Sequence, residues 1–180
     1  MKTRFSLRPL VSLALLLTLG CCKKDDPKPP AEQLPAATTS GADTWGCLVN
    51  GEVWQGCGAS KVGGDWTTSD GVSITMGFTT YVGNQPQAHN VLLSFADTTN
   101  SFTLPPGTYI LPNGGGLNGA ILQTPARRYR ADKLISGVAH LTRLDRQAAI
   151  VSGTFEFTMV GGPGDTVRVT NGRFDGHMDL

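Results

Sequence analysis

The stretch Trp45-Gly46-Cys47-Leu48-Val49-Asn50-Gly51-Glu52-Val53-Trp54 constrains the fold more than any other. Asn-Gly between apolar flanks favours a two-residue hairpin, because a type I′ turn needs positive φ at both central positions. A two-residue turn fixes the pairing. Val49 faces Glu52, Leu48 faces Val53, and Cys47 faces Trp54. Trp45 then lies diagonal to Trp54 on the same face, within aromatic reach.

The rest of the chain reads the same way. Val72, Ile74, Met76 and Phe78 alternate with Ser73, Thr75, Gly77 and Thr79, which is a period-two strand with one buried face. Residues 90–96, 109–111, 120–123, 138–144, 149–160 and 166–170 read as further strands. Gly161-Gly162-Pro163-Gly164-Asp165 is a loop, and Asn171-Gly172 reads as a second hairpin-like turn before Arg173-Phe174-Asp175. Gly/Pro turns without helix-period runs predict an all-β antiparallel sandwich or barrel of about 8–10 short strands.

The N-terminus is of a different kind. Lys2, Arg4 and Arg8 precede an apolar run over residues 10–19, broken only by Ser12 and Thr18. A spanning helix needs ~20 apolar residues, so this run is too short to cross a membrane. It reads as a secretory signal peptide. Leu17-Thr18-Leu19-Gly20-Cys21 resembles the lipobox of a bacterial lipoprotein. The resemblance implies cleavage before Cys21 and lipid on its thiol, with Cys22 as the alternative. It divides the chain into a signal peptide (1–20), a lipidated, flexible Pro-rich tether (21–40) and a single all-β domain (41–180). Each buried methylene contributes about 0.8 kcal/mol, so the several acyl chains of a mature lipoprotein attach it permanently.

Lys23-Lys24-Asp25-Asp26 resembles the surface-export signal of Bacteroidota-type lipoproteins. That implies an outer-membrane protein exposed at the cell surface; a plain charged tether facing the periplasm is the other reading. Residues 41–54, 151–158 (VSGTFEFT) and 165–175 (DTVRVTNGRFD) resemble a domain of unknown function in small, uncharacterised outer-membrane lipoproteins of that group. The likeness covers both ends of the domain and carries over no catalytic residue.

Charge narrows the partners. Removing residues 1–20 removes three bases and no acid, leaving 12 Lys and Arg against 14 Asp and Glu. No global basic field remains to attract nucleic acid. Pro27, Pro29, Pro30 and Pro35 mark residues 23–40 as an extended spacer.

Chemistry-bearing residues are sparse. Cys47 and Cys57 could form a disulfide in an oxidising envelope. The hairpin register points Cys57 to the other face, so a bond needs the strand to break at Gly56 or Gly58. His89, His140 and His177 are far apart and form no HExxH motif, so neither metal nor cofactor is expected. No serine-nucleophile elbow is present. The Gly-rich run 113–119 lacks the lysine and helix of a phosphate loop. Asp65 with Asp70, or Asp165 with Asp175, could serve as an acid/base pair. Trp45, Trp54 and Trp66 either cap the core or form a platform for sugar rings. Arg127, Arg128 and Arg130, with Lys133, surround Tyr129. They form either a solvated turn or a contact for phosphate, acidic glycan or a partner protein. The expected protein is a membrane-anchored envelope lipoprotein with a non-catalytic β domain that binds a ligand such as a glycan, or an envelope partner. A polymer hydrolase and a purely structural envelope protein are the alternatives.

Overall fold

The computed structural model describes residues 28–56, 62–67, 71–82, 85–96, 104–113, 118–161 and 164–179. The strands are β1 (Thr44–Val49), β2 (Glu52–Gln55), β3 (Val62–Thr67), β4 (Gly71–Val82), β5 (Gln85–Ala96) and β6 (Gly107–Leu111). They continue with β7 (Gly119–Gln123), β8 (Arg128–Tyr129), β9 (Leu134–Asp145), β10 (Ile150–Val160) and β11 (Thr166–Asp179). The remaining regular pieces among the described residues are two 3₁₀ turns, Pro30–Gln33 and Ala131–Lys133.

The strands form two antiparallel sheets. One runs β2-β1-β11-β10-β9-β6 and the other β3-β4-β5-β7-β8. A short parallel pairing of His177–Asp179 with Gly63–Asp65 joins them at one corner. Among the described residues the sheets do not close into a ring, which fits a sandwich and not a closed barrel. Their inner faces supply one core. Trp45, Cys47 and Val49 of β1 and Val151, Phe155, Phe157 and Met159 of β10 join Val91, Leu93 and Phe95 of β5 in it. Aromatic contacts cross between the sheets. Phe95 meets Tyr109 at 5.2 Å and Trp54 meets His89 at 4.8 Å, both edge-on.

The first hairpin has the expected register: Cys47 pairs with Trp54, Leu48 with Val53 and Val49 with Glu52. Asn50 and Gly51 carry positive φ of 50° and 84°, as the turn requires. Asn171-Gly172 behaves differently. The chain does not reverse there, and β11 continues from Thr166 to Asp179. Phe157 pairs with Val169 but Phe155 with Gly172, so two residues of β11 stand opposite Glu156. Asn171, with φ of 53°, takes up the extra residue of this bulge. Gly172 is needed because a Cβ there would lie 2.5 Å from the Phe155 ring.

The later part of the expected tether, residues 34–40, is docked and not free. Residues 34–43 lie across the outer face of the first sheet as a strap. Leu34 is buried, and a Cβ on Gly46 would touch Pro35 at 2.9 Å and Leu34 at 3.1 Å. Arg173 donates to the Pro35 carbonyl at 3.1 Å, and Arg143 to that of Thr39 at 2.7 Å. The strap then enters β1.

Candidate functional site

Asp175 holds the strap. It lies on the outer face of β11, beside Ser152 of β10, and is only 1% exposed. Its carboxylate accepts six hydrogen bonds. Thr38 Oγ1 and Ser152 Oγ donate at 2.6 Å each. The amides of Ser40, Gly41 and Ala42 donate at 2.9, 2.8 and 3.1 Å, and Ser40 Oγ at 3.4 Å. Burial pushes this carboxyl up. The bonds from Ser152, Thr38, Gly41 and Ala42 outweigh burial and hold it well below the usual carboxylate range. Gly41, at φ of 75°, lets the strap turn in against Asp175. Asp43 closes the clasp by accepting from the His177 amide at 3.1 Å.

A cationic recess lies at the other end of β10. Thr124 and Arg127 close a tight turn by backbone bonds of 2.7 and 3.3 Å, which places Arg127 just before β8 and Arg128 at its start. The 3₁₀ turn that follows, with the Lys133 amide on the Arg130 carbonyl at 2.9 Å, brings Lys133 back beside them. The recess, of about 330 Å³, is lined by Arg127, Arg128, Tyr129, Lys133, Val160 and Gly161. It therefore spans both sheets. Arg127 bridges them: its guanidinium donates to the Gly161 carbonyl and lies 5.7 Å from the centre of the Tyr129 ring. Val160 is an exposed apolar side chain at the rim.

Carboxylates near the recess are already engaged. Asp132 sits 3.5 Å from Lys133, and Asp165 accepts from the Thr166 amide at 2.7 Å. Among the described residues, neither Arg127 nor Arg128 has a carboxylate within salt-bridge distance. Arg130 is exposed and does not line the recess. Arg143 is tied to Asp145 at 2.8 Å; that bond holds the Asp145 carboxyl below its ordinary range.

The tryptophan platform needs correction. Trp45 is fully buried and Trp54 nearly so, both inside the sandwich. A period-two strand puts them on the same face as Cys47 and Val49, and that face is the core. Neither ring can stack on a ligand. The Trp66 side chain lies outside the described residues, as do Cys21, Cys22 and Cys57. Cys47 is a free, buried thiol, pushed up to about 12 by burial, which keeps it protonated and unreactive.

No acid/base pair assembles from Asp165 and Asp175. Asp165 stands just before β11 and Asp175 lies ten positions on within it, about 30 Å of extended chain, and Asp175 is consumed by the clasp. The side chains of Asp65 and Asp70 lie outside the described residues. The histidines take separate partners: His140 bonds Thr108 at 2.8 Å, His177 faces Asp43 at 3.1 Å, and His89 meets Trp54. Among the described residues no group of three or more His, Cys, Asp or Glu could hold a metal.

Fold and site together describe an open β-sandwich with an N-terminal strap and a cationic recess where its two sheets meet. No protein-family model, curated protein or solved structure matches the chain.

Proposed function

We propose that this chain is an envelope lipoprotein, anchored in the outer membrane by acyl chains on Cys21 and exposed at the cell surface. Its non-catalytic β domain binds an anionic ligand or partner through Arg127, Arg128 and Lys133. The observation that carries this reading is the recess itself. Three cations converge around an open hollow, two of them without a carboxylate partner among the described residues, on a chain whose acids outnumber its bases beyond residue 20. Local charge of one sign in a concave site concentrates oppositely charged ligands.

The strap supports the anchored geometry. With lipid on Cys21, thirteen residue steps lead from the anchor to Leu34, where the strap is buried against the domain. Their fully extended reach is at most about 47 Å. A strap fixed by Asp175 keeps the domain near the bilayer, where a free 20-residue tether would let it roam.

Calorimetry with inorganic tripolyphosphate tests the recess. The mature protein in detergent is expected to bind it, more weakly as salt rises. The Arg127→Glu/Arg128→Glu double variant is expected to lose roughly tenfold or more in affinity. Equal binding by the two proteins would remove the recess as the site.

A further inference from the structure

The outer face of β10 carries a depression whose lining, at Thr158, ends one outward residue short of Val160 at the rim of the recess. Side chains alternate along a strand, so Thr154, Glu156, Thr158 and Val160 face outward while Phe155, Phe157 and Met159 fill the core. Thr154 pairs with His140 and Arg173, and Thr158 pairs with Ser136 and Arg168. One hollow of about 320 Å³ is lined by His140, Thr154 and Arg173, among others. A second, of about 440 Å³, is lined by Ser136, Thr158 and Arg168. The two share Val138 and Glu156, so they are one depression. The next outward residue after Thr158 is Val160, at the rim of the recess. Ala37 of the strap walls the opposite end. Six residue steps lead from Thr154 to Val160, about 20 Å of strand.

The chemistry of this track is specific enough to choose an occupant. Arg173, Arg168, Lys133, Arg127 and Arg128 are spread along its length, with His140 at one end. Glu156 stands in the middle, and Asp132 and Asp165 lie beside the recess, so cations prevail. Hydroxyls of Ser136, Thr154, Thr158 and Thr170 lie between the charges. The backbone groups of β10 are taken by β9 and β11, so no peptide can add here as a strand. Outside the core, Tyr129 is the one aromatic ring among the described lining residues, too few for stacking nucleic-acid bases. Spaced charge with hydroxyls between suits a polymer with spaced acid groups and many hydroxyls of its own.

We infer that the track binds an extended anionic polysaccharide, its acid groups on Arg173, Arg168 and the recess cations, and its hydroxyls on the serine and threonine side chains. This rests on the recess being an anion site.

The test is calorimetry on the mature protein in detergent with galacturonate oligomers from dimer to octamer. Neutral maltooligosaccharides, poly-glutamate and oligo-thymidylate serve as comparisons. Affinity is expected to rise roughly tenfold or more from dimer to hexamer as further subsites engage, to fall with salt, and to exceed that of every comparison polymer. Arg168→Glu is expected to remove the gain with length, and Arg127→Glu/Arg128→Glu to weaken every length. Dimer binding that does not grow with length would overturn the track and leave the recess standing. Failure of the galacturonates and of tripolyphosphate alike would overturn both. Tighter binding of poly-glutamate or oligo-thymidylate would overturn the choice of a glycan.

Discussion

Replacing Asp175 with asparagine is expected to destabilise the domain by about 3–5 kcal/mol, the range for breaking a buried, charge-assisted network. The carboxylate is 1% exposed and accepts from Thr38, Ser40, Gly41, Ala42 and Ser152. An amide cannot accept on both of its heavy atoms, so several donors would be stranded. Urea denaturation gives the free-energy change. Hydrogen exchange at the Gly41 and Ala42 amides reports the strap directly, with protection expected in the parent and lost in the variant. A change below about 1 kcal/mol with protection retained would dismiss the clasp, given the cost of stranding buried donors.

The pH dependence follows from the same group. The carboxyl is lowered in the folded state relative to the unfolded chain, so ionisation favours folding. Its contribution is complete above the unfolded value, about 3.9. It is lost as the pH falls from there through the lower folded value. The stability gap between the parent and Asp175→Asn is therefore expected to be flat at neutral pH and to narrow only in strong acid.

Trp45→Ala is expected to cost about 3–5 kcal/mol, as large aromatic truncations in packed cores do. Trp45 has no exposed surface and lies in the cluster that both sheets share. A far-UV circular dichroism melt in urea measures the loss without depending on tryptophan emission. If Trp45 were a ligand platform, its removal would leave stability within about 0.5 kcal/mol of the parent, as at ordinary surface positions.

Local chemistry was legible in the sequence where it decided the structure alone. Asn50-Gly51 set a register that holds residue for residue. The same dipeptide at Asn171-Gly172 made a bulge, because β10 and β1 continue to pair with β11 on both sides of it. A positive φ satisfies either outcome, and only the neighbouring strands decide. The strap was illegible for a related reason. Residues 34–42 are mostly small, with one proline and three hydroxyls and no strand or helix periodicity, and what docks them is a carboxylate 137 residues from Thr38. Alternation placed Trp45 and Trp54 on one face without telling which face was inward. Arg127, Arg128 and Lys133 were legible as neighbours along the chain. Val160 and Gly161, which complete their recess from the other sheet, were not.

We propose that this sandwich hangs from a lipid on Cys21. Labelling with an alkyne-bearing fatty acid in the native host, read on purified protein, tests it most directly. Label is expected on the parent and on Cys22→Ala and absent from Cys21→Ala. Label that persists on Cys21→Ala and disappears from Cys22→Ala would move the anchor by one residue, whereas a parent protein without label would contradict the claim.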